Sequence, residues 1–307
     1  MADSELAPQR ALASLSTAEA DPTAVAPAEG VGRSSARREL TWRFTQAPFG
    51  ETDVVISVPP VQDGKTRFPV LVAFHGRGES LKGSREGARG WLDDYQLGRA
   101  TARLEAPPLT RDDFEGYVSA DRLSVINAGL ARDPYQGLIV VCPFLPDVLK
   151  GDEAFDTTPA LASFVVDALL PRVFARLPAI GEASATGIDG VSLGARAALL
   201  IGLSRPEAFG SVAGLQPAVD RGEIERLVQL ARSARTHNPR LALRLLTSDE
   251  DYFLAVTKKL SSALAAQGVE HDFASVKGTH SYRFNRGPGA FEMLLFHDRV
   301  LRGKTPL

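Results

Sequence analysis

The chain has 307 residues, 44% hydrophobic and 23% charged, with 35 Lys and Arg against 37 Asp and Glu. Such fractions belong to globular proteins, and near-neutrality excludes the long-range positive field that draws a protein to nucleic acid or to an anionic membrane. One cysteine, Cys142, excludes an intrachain disulfide and argues against a zinc–thiolate cluster, and no run of about 18 consecutive apolar residues marks a membrane span.

Residues 1–37 are rich in Ala, Ser, Pro, Thr and Glu and almost lack large apolar side chains. A segment of that kind buries too little surface to offset its ordering entropy, so a disordered tail is expected. The opening MADSELAPQR carries acids early and has a broken apolar run, unlike a secretory signal. A cytoplasmic location is the expectation, with a secreted or periplasmic one if a signal was removed. Residues 38–307 show neither a second linker nor a repeat and read as one domain.

Two opening strands, TWRFTQ (41–46) and DVVISV (53–58), interleave polar and apolar residues. FPVLVAFH (68–75) and GLIVVCPF (137–144) are short continuous apolar runs, the pattern of strands covered on both faces of a parallel sheet, with Cys142 as a core thiol. Between them lies an insertion over about 79–136, holding Trp91, Tyr95, Phe114 and Tyr117 amid Gly, Pro and charge. It is far longer than an ordinary crossover and reads equally as a binding loop or as a structural excursion. A helix over 160–178 should kink or restart at Pro171. There follow a strand ending at Val191, a helix over 193–204 stopped before Pro206, and a strand over 210–216. A helix over 221–235, a strand over 241–247, a helix over 252–267, a strand over 271–276 and a helix over 288–302 complete the chain. The alternation predicts an α/β fold, a mainly parallel sheet with helices on both faces.

Where the strand ending at Val191 gives way to a helix, Gly190-Val191-Ser192-Leu193-Gly194 puts a glycine two residues on each side of a serine. By chance the pattern arises about 0.1 times in a chain of this length. Small residues there let neighbouring backbones approach a strained turn, which lifts the serine hydroxyl off the sheet as a nucleophile elbow. At the helix N-terminus the Leu193 amide can donate to a developing oxyanion. The plainer reading is a Gly/Ser loop with a helix cap.

A serine nucleophile needs a base, and after such an elbow the acid and then the histidine follow along the chain. His280, in the loop GTHSYR after the last strand, is best placed. His271 opens a strand, His297 sits in an apolar-striped helix, and His237 reads as a loop residue that precedes every plausible acid after the serine except Asp220. LALRLLTSDEDYF offers Asp249, Glu250 and Asp251 at a strand end, with Asp220 as an outside candidate. A carboxylate cluster there also suits a helix cap. Upstream, His75-Gly76-Arg77-Gly78 follows an apolar strand, so the amide of Arg77 or of Gly76 is expected as a second oxyanion donor.

The HGRG, GVSLG, TSDED and GTHSY motifs together resemble the α/β-hydrolase superfamily, and within it the putative esterase family of esterase D-like, enterochelin esterase-like and mycolyltransferase-like enzymes. DALLPRVFARL (167–177) and SRPEAFGSVAGLQPA (204–218) add to the likeness, which covers roughly 50–302. The resemblance implies Ser192 as nucleophile, His280 as base and Asp251 as acid, the last because its distance to the next helix matches the family pattern better than that of Asp249. Three departures stand out: Ala195 where a second glycine is usual, Thr-Ser where the acid strand usually ends in glycine, and the insertion.

The implied activity is hydrolysis of a carboxylic ester through an acyl-enzyme, on a small-molecule, carbohydrate or lipid ester, with no metal or organic cofactor. Acyl transfer by the same triad, or a non-catalytic binding protein on this fold, are the alternatives.

Overall fold

The computed structural model describes residues 37–61, 63–147 and 157–307. The expected tail therefore lies outside the described residues except for Arg37. That residue is docked, its guanidinium donating to Ser57 Oγ (3.1 Å) and to the Leu138 carbonyl (2.8 Å).

The described residues form one eight-stranded sheet from β1 (Arg38–Phe44), β2 (Thr52–Val58), β3 (Val70–Phe74), β4 (Ile139–Pro143), β5 (Thr186–Gly190), β6 (Ser211–Leu215), β7 (Ala242–Glu250) and β8 (Asp272–Thr279). Their spatial order is β1-β2-β4-β3-β5-β6-β7-β8. β2 runs antiparallel to β1 and β4, and every other pairing is parallel. The expected mainly parallel α/β sheet is present.

β3 shows why its sequence is apolar throughout. Val70, Val72 and Phe74 enter one core layer while Leu71 and Ala73 enter the other, so both faces of the pleat are dry. Cys142 on β4 is buried, and burial pushes its thiol pKa up.

The insertion is a structural cover over the second of these layers. It folds as α1 (Arg77–Ser80), α2 (Ser84–Gly87), α3 (Gly90–Asp93), α4 (Leu97–Glu105) and α5 (Ala120–Arg132). Trp91, Tyr95, Leu97, Leu104, Phe114, Ile126 and Leu130 pack there with Phe291 and Leu294 near the C-terminus. Trp91 is fully buried and its indole N–H donates to the Phe74 carbonyl at 3.0 Å. Burying about 150–250 Å² per aromatic ring makes these residues a major source of core stability, a role a mobile flap would not serve.

The other face is covered by the helices that lie between β4 and β8. The helix expected over 160–178 is α6 (Thr157–Ser163), a π turn (Phe164–Leu169) and α7 (Leu170–Arg176). The irregularity precedes Pro171, whose ring and missing N–H a regular turn would not accommodate; the wider π turn relieves both. The run Thr158–Arg176 is long and apolar enough by length and composition to cross a membrane, although it holds no 18 consecutive apolar residues. Here its Leu161, Phe164, Val165, Leu169, Leu170 and Val173 stripe packs into the core. α8 (Leu193–Ser204), α9 (Ile224–His237) and α10 (Leu254–Ala266) follow, with His237 closing α9 instead of lying in a loop. Near the C-terminus, α11 (Tyr282–Phe284), a kinked turn at Asn285–Gly289 and α12 (Ala290–Val300) begin earlier than the sequence suggested.

Candidate active site

β5 ends at Gly190 and α8 begins at Leu193, leaving two residues to reverse direction. Val191 N–H donates to the Phe74 carbonyl (3.1 Å) and Ser192 N–H to that of Leu215 (2.9 Å), so the turn is held by the strands on either side. Ser192 has φ 56° and ψ −115°, outside the ordinary regions for a residue with a Cβ. Such a conformation costs about 1–3 kcal/mol and persists only where its surroundings impose it. Both flanking glycines are sterically required. A Cβ on Gly190 would stand 2.4 Å from the Gly194 carbonyl carbon, and one on Gly194 would stand 2.4 Å from the His75 oxygen. The methyl of Ala195, where a glycine is usual, faces Gly214: a Cβ on the latter would lie 3.2 Å from it.

Ser192 is half-buried, with its hydroxyl 3.0 Å from His280 Nε2. β8 runs to Thr279, so His280 follows a strand end directly instead of standing within a longer loop. Its Nδ1 lies 2.8 Å from Asp251 Oδ1. The Asp251 side chain is fully buried; Oδ1 also accepts from the Phe253 N–H (3.1 Å) and Oδ2 from the Thr247 hydroxyl (2.7 Å). A carboxylate offers only acceptor atoms, which fixes the imidazole proton on Nδ1 and leaves Nε2 free to accept the serine proton.

The competing acids lie elsewhere. Asp249 is exposed and accepts from the Gly278 N–H (2.9 Å), bracing β7 to β8, while Asp220 caps the turn before α9 with Glu223. His271 and His297 have structural partners. His271 bridges Ser261 Oγ and the Val269 carbonyl. His297 lies between Asp189 Oδ2 (3.1 Å) and Ser211 Oγ (2.8 Å), all three almost wholly buried.

The Gly76 amide is not available as an oxyanion donor, correcting that expectation: it donates to the Tyr95 hydroxyl at 3.1 Å. Tyr95 in turn donates to Glu79, and burial followed by that carboxylate raises the tyrosine pKa well above its usual value. Arg77 and Leu193 are the first residues of α1 and α8, where an amide has no intrahelical carbonyl to meet, and among the described residues neither donates to a backbone carbonyl. The peptide joining Gly76 to Arg77 is oriented through its carbonyl. The Leu145 N–H donates to His75 Nε2 (2.9 Å), so the proton sits on Nδ1, which donates to the Gly76 oxygen (2.9 Å). The trans peptide then sends the Arg77 N–H the opposite way. Burial pushes the His75 pKa down and keeps the ring neutral.

Aromatic rings flank the histidine. Tyr252, 78% exposed, lies with its ring 5.1 Å from that of His280, and Phe253 meets the same imidazole edge-on at 5.5 Å. Tyr282, half-exposed, stacks obliquely on Tyr95 at 5.8 Å. Tyr95, Glu79 and Thr247 are contributors that the motifs do not announce. Thr247 alone carried a signal, as one of the departures from the family pattern. Among the described residues no group of three or more His, Cys, Asp and Glu is arranged to hold a metal ion.

Residues 150–286 match the sequence profile of the family described as Putative esterase. No curated protein matches in sequence. Solved structures with the same fold include a ferulic acid esterase, at 15% identity and a TM-score of 0.65, covering 87% of this chain and 100% of that one. The S-formylglutathione hydrolase FrmB of Staphylococcus aureus is 14% identical with a TM-score of 0.58, covering 88% and 99%. An S-formylglutathione hydrolase of Agrobacterium tumefaciens is 17% identical with a TM-score of 0.55, covering 87% and 96%. The chain thus has the fold of these esterases and hydrolases, and the match to the Putative esterase family lies in its residues 150–286.

Proposed function

We propose that this protein is a serine hydrolase that cleaves carboxylic esters through an acyl-enzyme on Ser192. The observation that carries the reading is the unbroken Asp251–His280–Ser192 hydrogen-bond chain ending at a strained, half-buried serine. Its likeness to structures named as ferulic acid esterase and S-formylglutathione hydrolase supports it.

In this reading Ser192 Oγ attacks the ester carbonyl as its proton passes to His280 Nε2. The carboxylate of Asp251 stabilises the imidazolium. The carbonyl oxygen, now an anion, accepts hydrogen bonds from the amides of Leu193 and Arg77. Collapse of the tetrahedral intermediate breaks the C–O bond, and the departing alkoxide takes the proton from Nε2. Water then gives a proton to the same nitrogen as it attacks the acyl carbon. The second intermediate releases the carboxylic acid and returns the proton to Ser192. The substrate is a small-molecule, carbohydrate or lipid ester.

Labelling with a fluorophosphonate probe tests this directly. Modification is expected on Ser192 and abolished in Ser192→Ala. An unlabelled wild-type chain, or equal labelling of the variant, would refute the proposal.

A further inference from the structure

Gln216 follows directly after β6, beside the elbow: the preceding residue, Leu215, supplies the carbonyl that receives the Ser192 N–H. Its side chain amide donates to Ser248 Oγ (2.6 Å), three residues before Asp251, and to the Thr279 carbonyl (3.1 Å), immediately before His280. A single buried side chain thus joins the strand supporting the serine to the segments carrying the acid and the base.

Two features show that local stability is sacrificed to keep it there. Gln216 has φ 47°, the left-handed region that glycine occupies without cost. It is fully buried, and its Oε1 has no hydrogen-bond partner. Reversing the amide does not help, because two acceptor oxygens would then face each other at Thr279. An unpaired buried acceptor loses its hydration without replacement, and the backbone conformation adds strain to that cost. A glycine at this position would avoid both costs but could not tie the two segments together.

We infer that Gln216 is a positioning residue for the triad, setting His280 and Asp251 at working distance from Ser192 through its bonds to Thr279 and Ser248. It touches none of the reacting atoms. The inference rests on the serine hydrolase reading of the same site.

The test compares wild type with Gln216→Met, which keeps length without hydrogen bonding, and Gln216→Glu, whose carboxylate cannot donate to the Thr279 carbonyl. Each is assayed on p-nitrophenyl acetate alone and in the Asp251→Ala background, which releases the imidazole, with urea denaturation to establish folding. In the wild-type background kcat is expected to fall about 10- to 100-fold, with KM within about twofold, as a misplaced catalytic group requires. In the Asp251→Ala background the same substitution should cost about threefold or less, because residues acting as a unit are not additive. If Gln216→Met does not fold, Gln216→Glu and Ser248→Ala carry the same comparison, the latter removing one of the two ties.

Unchanged kcat in the folded variants, or an equal loss in both backgrounds, would overturn the role of Gln216. A wild-type chain that neither turns over the ester nor takes the fluorophosphonate would instead overturn the hydrolase reading and the inference with it.

Discussion

Asp251→Asn is the sharpest probe of the site because its geometry constrains what the amide can do. Two donors meet Oδ1, the Phe253 N–H and His280 Nδ1, whereas Oδ2 meets only the Thr247 hydroxyl, which can rotate to accept. An asparagine therefore keeps its oxygen on the histidine and places its NH₂ toward Thr247. The imidazole tautomer survives, and what is lost is charge. With charge centres about 4 Å apart and an effective dielectric near 20, the carboxylate stabilises the imidazolium by ~4 kcal/mol, about a thousandfold in kcat. Initial rates on an aryl ester, with KM measured separately, read this directly. Asp249→Asn should stay within about threefold of wild type, because an amide oxygen still accepts the Gly278 N–H. If Asp251→Asn keeps a tenth of the wild-type kcat, or Asp249→Asn loses as much, the assignment of the acid is wrong.

Tyr95→Phe removes the acceptor of the buried Gly76 N–H and the donor to Glu79. Stability to urea should drop by about 1–3 kcal/mol and kcat by about tenfold or more, since the loop bearing the Arg77 amide loses its anchor; no change in either would show that the loop is held without it. His75 gives a pH prediction. Burial lowers its folded-state pKa, so its contribution to stability is complete above the unfolded-state value of about 6.5 and is lost as pH falls below it. Melting temperature should decline over that acid range, and His75→Gln should flatten that part of the profile; an unaltered slope would show that protonation of His75 is not what the fold opposes.

Much of this architecture is legible in the sequence because strands buried on both faces tolerate no polar interruption. VLVAF in β3 and IVVCP in β4 can hardly be anything else. The elbow is legible for a steric reason, since only glycine fits at 190 and 194. The insertion is not, because helices of four residues such as α1 to α3 are shorter than the span over which hydrophobic periodicity emerges. Whether the Gly76 amide is free depends on a tyrosine 19 residues away, a contact no local pattern encodes. The Thr-Ser departure at 247–248 becomes intelligible only in three dimensions, where the first hydroxyl supports Asp251 and the second accepts from Gln216.

The pairing of His297 with Asp189 and Ser211 has a consequence for how a serine–histidine–aspartate site is recognised. This chain holds two serine–histidine–aspartate constellations, both with distances near 3 Å. In the second, Ser211 binds the ring through Nδ1 and Asp189 through Nε2, the reverse of the first, and Ser211 lies inside a strand with no solvent exposure. A search that matched residue types and separations alone would return both. Which ring nitrogen faces the serine, and whether the backbone lifts that serine out of the sheet, are the marks that separate a reactive trio from polar groups satisfying one another in the dark.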